Sequence, residues 1–185
     1  MRNLTLTKKI AGTAVFVALA YLVSFLEFPI FPAAPFLKLD FSTAFSFLAG
    51  LIYGPVSGGV VCALKGLLWF LTKTMTGGVG ELADFIVSVG FILIPAIVYR
   101  KTTKTGWLIF TSACACLLQI GLSLLMNRFL MFPLYMGEVA ATEFRSLWIW
   151  VFLFNLIKSV TIGVLSNLIY RPISRYVLRN RGKTE

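Results

Sequence analysis

The stretch YGPVSG, Tyr53 to Gly58, lies between two apolar runs at 41–54 and 56–73. A turn there makes two helices, and its absence makes one. Proline cannot donate the hydrogen bond that continues a helix, and its ring crowds the preceding turn. Gly-Pro is also a turn dipeptide. The pair Gly54-Pro55 therefore predicts a tight hairpin between two helices. The competing reading is one long kinked helix.

Further apolar runs lie at about 9–27, 81–99, 106–130 and 147–170. A spanning helix needs about 20 such residues. With the hairpin the count is six. Composition agrees, because the 185 residues are 58% apolar and only 13% charged, against about 25% charged in a soluble domain. The expected fold is an all-α membrane protein of six transmembrane helices, forming one domain over residues 1–185.

The net charge is +10. Most basic residues fall in three short clusters: Arg2, Lys8 and Lys9; Arg100, Lys101 and Lys104; and Arg171, Arg175, Arg179, Arg181 and Lys183. With six spans and a cytoplasmic N-terminus, all three clusters lie inside, and the outer loops keep Lys38, Lys73 and Arg145. Five spans would put the two termini on opposite sides and break that pattern. Both termini are therefore expected in the cytoplasm of a multi-pass cell-membrane protein. The clusters are too short and scattered for a nucleic-acid-binding face, so lipid is the expected surrounding. The first run has Lys8 and Lys9 and a small-x-small site at Ala18-Leu19-Ala20, as a signal peptide would. It continues to Phe25, about spanning length, and is expected to be a retained helix.

This topology gives each polar residue a depth. Asp40, Lys65, Glu81, Asp84, Asn127, Arg128, Asn155 and Lys158 all fall in the outward half. A cavity open to the outside, closed below by apolar packing, explains the asymmetry. Ionisable residues inside spans mark functional sites by default. Asn155 and Lys158 are spaced i, i+3 and share a helix face, so both are expected to point into the cavity. Lys65 with Glu81 or Asp84, and Arg128 with Glu138 or Glu143, have a second reading as helix-binding ion pairs. The loop FPIFPAAPFLKLDF (28–41) and the segment MFPLYMGE (131–138) are rich in aromatics. Phe31, Phe36 and Tyr135 suit either the walls of an aromatic ligand site or an interfacial belt. In the first helix, Ala14 and Ala18 have the small-x-x-x-small spacing that admits a close helix neighbour, within the bundle or from another subunit.

Several chemistries are excluded. The chain has no histidine, so the usual proton shuttle and Ser-His base are missing. Cys62, Cys114 and Cys116 lie in apolar runs and read as buried small side chains, with no metal site and no catalytic residue expected. No phosphate-binding Gly-x4-Gly-Lys-Ser/Thr loop is present. The chain reads as a non-enzyme that binds a ligand and needs a partner to supply energy.

The segments FLKLDFS (36–42), YGPVSG (53–58), GGVGELADF (77–85), NRFLMFPLY (127–135) and FNLIK (154–158) together resemble the substrate-binding S components of energy-coupling factor (ECF) vitamin transporters, most closely the riboflavin-specific branch. The resemblance covers most of the chain. It implies six helices, capture of riboflavin as transported ligand rather than cofactor, and coupling to a transmembrane T subunit and two ABC ATPases. It assigns Ala14 and Ala18 to the T-subunit contact. By matching motif it implies a ligand site at Asp40, Thr43, Asn127, Asn155 and Lys158. The chain departs from the family pattern at Thr43-Ala44-Phe45, commonly Asp-Ile-Pro, and at Asp84, commonly Asn. An S component for another small vitamin, and a ligand-free membrane scaffold, are the alternatives.

Overall fold

The computed structural model describes residues 6–74, 76–101 and 105–179. Arg2, Lys104, Arg181 and Lys183 of the basic clusters lie outside the described residues. Helix α1 (Leu6–Ser24) leads into a loop pinned by two short antiparallel strands, β1 (Phe28–Pro29) and β2 (Lys38–Leu39), with Phe28 opposite Leu39. Helices α2 (Ser42–Tyr53), α3 (Pro55–Lys73), α4 (Val79–Lys101) and α5 (Thr105–Met126) follow. A π-helical turn at Asn127–Met131 carries α5 into the short α6 (Phe132–Met136) and a 3-10 turn at Gly137–Val139. The last helix is α7 (Ala140–Arg179). Gly137 takes φ 55°, which breaks the helical run, and α7 packs back against α5.

The hairpin at YGPVSG is present. Gly54 takes φ 103°, a conformation that costs a side chain dearly and glycine little. Its N–H caps α2 by donating to the Gly50 carbonyl, and its own carbonyl accepts from Ser57 and Gly58 at the start of α3. Pro55 occupies the first turn of α3, where a missing N–H costs nothing. The two helices then run so close that a Cβ on Gly58 would lie 3.0 Å from the Gly50 Cα and 3.0 Å from the Ser46 carbonyl oxygen.

Helix α2 is the centre of the bundle. It packs on α1, α3, α4 and α7, and ten of its 12 residues are buried. Phe47 meets Phe91 of α4 with ring centroids 5.2 Å apart, both fully buried, and Ile92 and Ile162 complete this core. A second cluster seats the loop before α2 on the end of the bundle where α2 begins, through Ala34, Leu37 and Leu39 against Val151 and Phe154 of α7.

Among the described residues, four helical runs are long and apolar enough to cross a membrane, and the last, Gly106–Tyr170, contains the fold-back of α5 on α7. The expected runs 106–130 and 147–170 differ from the helices observed. Hydropathy marks what suits lipid, whereas a helix continues through polar turns such as that of Glu143 and Arg145, so α7 begins at Ala140.

The close approach at Gly58 carries a prediction. Gly58→Ala should destabilise the purified protein by about 1–3 kcal/mol through overpacking. Gly59→Ala, whose Cβ meets nothing within 4 Å, should leave the thermal midpoint in detergent unchanged.

Candidate functional site

Above the N-terminal end of α2 lies a cavity of about 420 Å³, within the roughly 300–1,000 Å³ usual for small-molecule sites. No residue of α2 lines it. Its walls come from the helices around α2: Ser24 of α1; Lys65, Trp69 and Lys73 of α3; Glu81, Asp84 and Val87 of α4; Ser123 and Met126 of α5; and Phe154, Asn155 and Lys158 of α7. Asn127 and Met131 of the π-helical turn join them, and Phe36, Lys38 and Asp40 of the first loop close the remaining side.

Three helices meet through one carboxylate. Asp84 of α4 accepts from Lys65 of α3 at 2.9 Å and from Lys158 of α7 at 3.2 Å. Both lysines are buried, and about a third of the Asp84 side chain is exposed. Lys65 also donates to Ser42 Oγ at 3.1 Å. The Ser42 hydroxyl donates to Asp40, which accepts the Ser42 backbone N–H at 2.7 Å as well. Asp40 thus sits at the positive end of the α2 dipole, where a carboxylate is favoured.

Asn127 and Asn155 use their amides alike. Asn155 Nδ2 donates to the Val151 carbonyl at 2.8 Å, and Asn127 Nδ2 to the Ser123 carbonyl at 2.9 Å. Each spends a donor on its own helix, and neither amide oxygen accepts a hydrogen bond from the described residues. Lys158 has three N–H donors and spends one on Asp84. The cavity therefore offers two amide acceptors and unspent ammonium donors beside the apolar faces of Phe36, Trp69 and Phe154.

Of the residues expected at a ligand site, Asp40, Asn127, Asn155 and Lys158 line this cavity, and Thr43 and Tyr135 do not. Thr43, the second residue of α2, faces the packed interior, and its Oγ1 has no hydrogen-bond partner among the described residues. Tyr135 is half exposed, and its hydroxyl donates to the Thr76 carbonyl at 2.8 Å, tying α6 to the start of α4. Of the expected aromatic walls, Phe36 lines the cavity, while Phe31 packs on Trp150 at 5.1 Å. Arg128 has two readings, a cavity residue or a partner of Glu138 or Glu143; it does not line the cavity, and its guanidinium lies 5.7 Å from the Phe144 ring and 6.0 Å from that of Phe129.

Sequence reasoning missed Glu27, Trp69, Lys73 and Thr76. Glu27 accepts from Lys38 at 2.9 Å and lies 3.6 Å from Lys73, joining the ends of α1, β2 and α3 at the rim. Thr76 Oγ1 donates to Glu81 at 2.5 Å. Glu27 and Lys73 read as mere ends of apolar runs. The available signal was that Glu27, Lys38 and Lys73 share the outer side of the bilayer under the six-span topology.

The family of ECF transporter substrate-specific components matches residues 8–170. The chain belongs to that family. This S component is 29% identical to the riboflavin transporter RibU of Staphylococcus aureus (strain TCH60) over 96% of each chain. It is also 29% identical to the riboflavin transporter FmnP of Bacillus subtilis (strain 168), over 94% of this chain and 96% of that one. A solved structure, described as "Structure and mechanism of the S component of a bacterial ECF transporter", superimposes with a TM-score of 0.80 at 30% identity, covering 92% of this chain and 98% of the other. The S component is a multi-pass protein of the bacterial cell membrane.

In the S component, Asp84→Ala leaves two buried ammonium groups without a carboxylate and should cost about 3–5 kcal/mol. Lys65→Met leaves Asp84 paired with Lys158 and should cost less. Thermal unfolding in detergent ranks the two, and an equal or reversed order would contradict the bridge.

Proposed function

We propose that this S component captures riboflavin from outside the cell and passes it inward with a T subunit and two ABC ATPases. The observation that carries the reading is the convergence of Asn127, Asn155 and Lys158 on one cavity, in a chain whose relatives are named riboflavin transporters along nearly their whole length. The pyrimidine edge of the isoalloxazine ring alternates acceptor, donor, acceptor. An amide oxygen of Asn127 or Asn155 can take the ring N–H, and the unspent donors of Lys158 can serve the carbonyls. Trp69, Phe36 and Phe154 suit the flat ring system. Asp40 suits the hydroxyls of the ribityl chain.

In this reading the protein is one domain of six spans, with both termini in the cytoplasm and the cavity facing out. Helix α2 is the sixth span in the count, too short to cross alone and completed by the loop before it. The ligand is bound and released without chemistry. Ala14 and Ala18 are exposed on α1, while Thr13, Val17 and Ala20 of the same helix are buried. The strip of alanines is thus available to the T subunit.

Riboflavin fluorescence should be quenched on titration with the purified protein. Asn155→Ala and Lys158→Ala should each weaken binding by at least about tenfold, equivalent to 1.4 kcal/mol. A protein that leaves the fluorescence untouched refutes the reading. Replacing Ala14 and Ala18 together by leucine should leave the Kd within about twofold. The same change should abolish flavin uptake in vesicles that hold the T subunit and ATPases, and undiminished uptake would remove the docking assignment.

A further inference from the structure

Lys38, Lys65, Lys73 and Lys158 line the cavity, as do Glu27, Asp40, Glu81 and Asp84. Their formal charges cancel. The pairing is also complete on the cationic side. Asp84 holds Lys65 at 2.9 Å and Lys158 at 3.2 Å deep in the cavity, and Glu27 holds Lys38 at 2.9 Å and Lys73 at 3.6 Å at the rim. Each cavity ammonium already faces a carboxylate of the same cavity.

We propose that Asp84 and Glu27 are specificity-determining residues: by holding the four lysines, they make the cavity select an uncharged, hydroxyl-rich ligand over the same ligand carrying a phosphate monoester. The inference rests on the flavin reading given above. A phosphate monoester brings a charge of about −1.5 to −2 at neutral pH. To neutralise it, the ligand must draw a lysine away from the carboxylate that holds it and bring its own negative charge close to that carboxylate in a low-dielectric site. Arg128, whose guanidinium lies over the Phe144 ring, does not line the cavity and offers no relief. Hydroxyls and ring carbonyls make no such demand. They can accept from ammonium N–H groups not engaged by Asp84 or Glu27, and both ion-pair sets stay intact.

The two carboxylates act at different depths. Lys65 and Lys158 have side chains only 10% and 9% exposed, whereas those of Lys38 and Lys73 are 40% and 38% exposed. Exposed pairs are screened by water and salt. Asp84 therefore dominates where the phosphate would lie deep, and Glu27 where it would lie at the rim.

The test is fluorescence titration of the intact protein with riboflavin and with its 5′-phosphate monoester, in wild type, Asp84→Asn and Glu27→Gln. Wild type should prefer the unphosphorylated flavin by at least about tenfold. One or both variants should shrink that ratio by at least about fivefold, and whichever responds shows where the phosphate end lies. Glu27 sits at the exposed rim, so Glu27→Gln reports even where loss of Asp84 impairs folding. Equal affinity for the two flavins in wild type, or an unchanged ratio in every folded variant, overturns the proposal. A wild type that binds neither flavin overturns the flavin reading itself and this inference with it, a result distinct from an unchanged ratio.

Discussion

The arrangement depends on a central helix that is too short. Helix α2 has 12 residues, about 18 Å at 1.5 Å per residue, whereas the hydrocarbon core of a bilayer is about 30 Å thick. Its neighbours α3 and α4 are 19 and 23 residues long. The space that further turns of α2 would have filled is where the cavity lies, and for that reason no α2 residue lines it. The first loop closes the opening. Its prolines restrict the backbone, and Leu37 and Leu39 anchor it on α7. Four orphan N–H groups at the start of any helix need partners. Here Asp40 accepts one of them, the Ser42 N–H, and places its carboxylate on the cavity lining.

A cavity lined by charge in the middle of an apolar bundle has to hold itself together. The Lys65–Asp84–Lys158 bridge does so across α3, α4 and α7. Ions taken out of water lose hydration worth several kcal/mol each, and only close, well-oriented partners recover it. Each ammonium here has a carboxylate, and Lys65 has the Ser42 hydroxyl as well. The same contact therefore fixes the helices and sets the charge a ligand meets. The helix-binding and ligand-binding readings of Lys65 are two consequences of one geometry.

What was legible in the sequence follows from how a membrane fold is organised. The hairpin at Gly54-Pro55 was legible because proline and glycine act on the backbone locally, whatever surrounds them. That Asp40, Lys65, Asn127, Asn155 and Lys158 meet at one level of the bundle was legible because counting apolar runs places them at matching positions along their helices. The direction a side chain takes around its helix is set by neighbours that the sequence does not order in space. Thr43 is three positions from Asp40 yet faces the packed core. Tyr135 reaches the Thr76 carbonyl across 59 positions of sequence. Arg128 found the Phe144 ring in place of an acidic partner because a π-helical turn at Asn127–Met131 alters the register after α5. Glu27 and Lys73 were hidden for the opposite reason. They end apolar runs, where charge is ordinary, and only the meeting of α1, β2 and α3 gives them a role.

The far end of the bundle argues for an external source of work. Beyond the cavity floor the helices close on Phe47, Phe91, Ile92 and Ile162, all essentially without exposure. The Gly50–Gly58 approach brings α2 and α3 nearly backbone to backbone. Protein interiors at such density do not open by side-chain hops, and forcing added groups into a packed core costs about 1–3 kcal/mol even for a few methylenes. A ligand the size of the cavity would have to displace several of these side chains at once. Release on the other side of the membrane therefore requires the bundle to move as a body or to be prised apart. The chain has no phosphate-binding loop through which to drive either from ATP. In the importer proposed above, that work falls to the partner subunits.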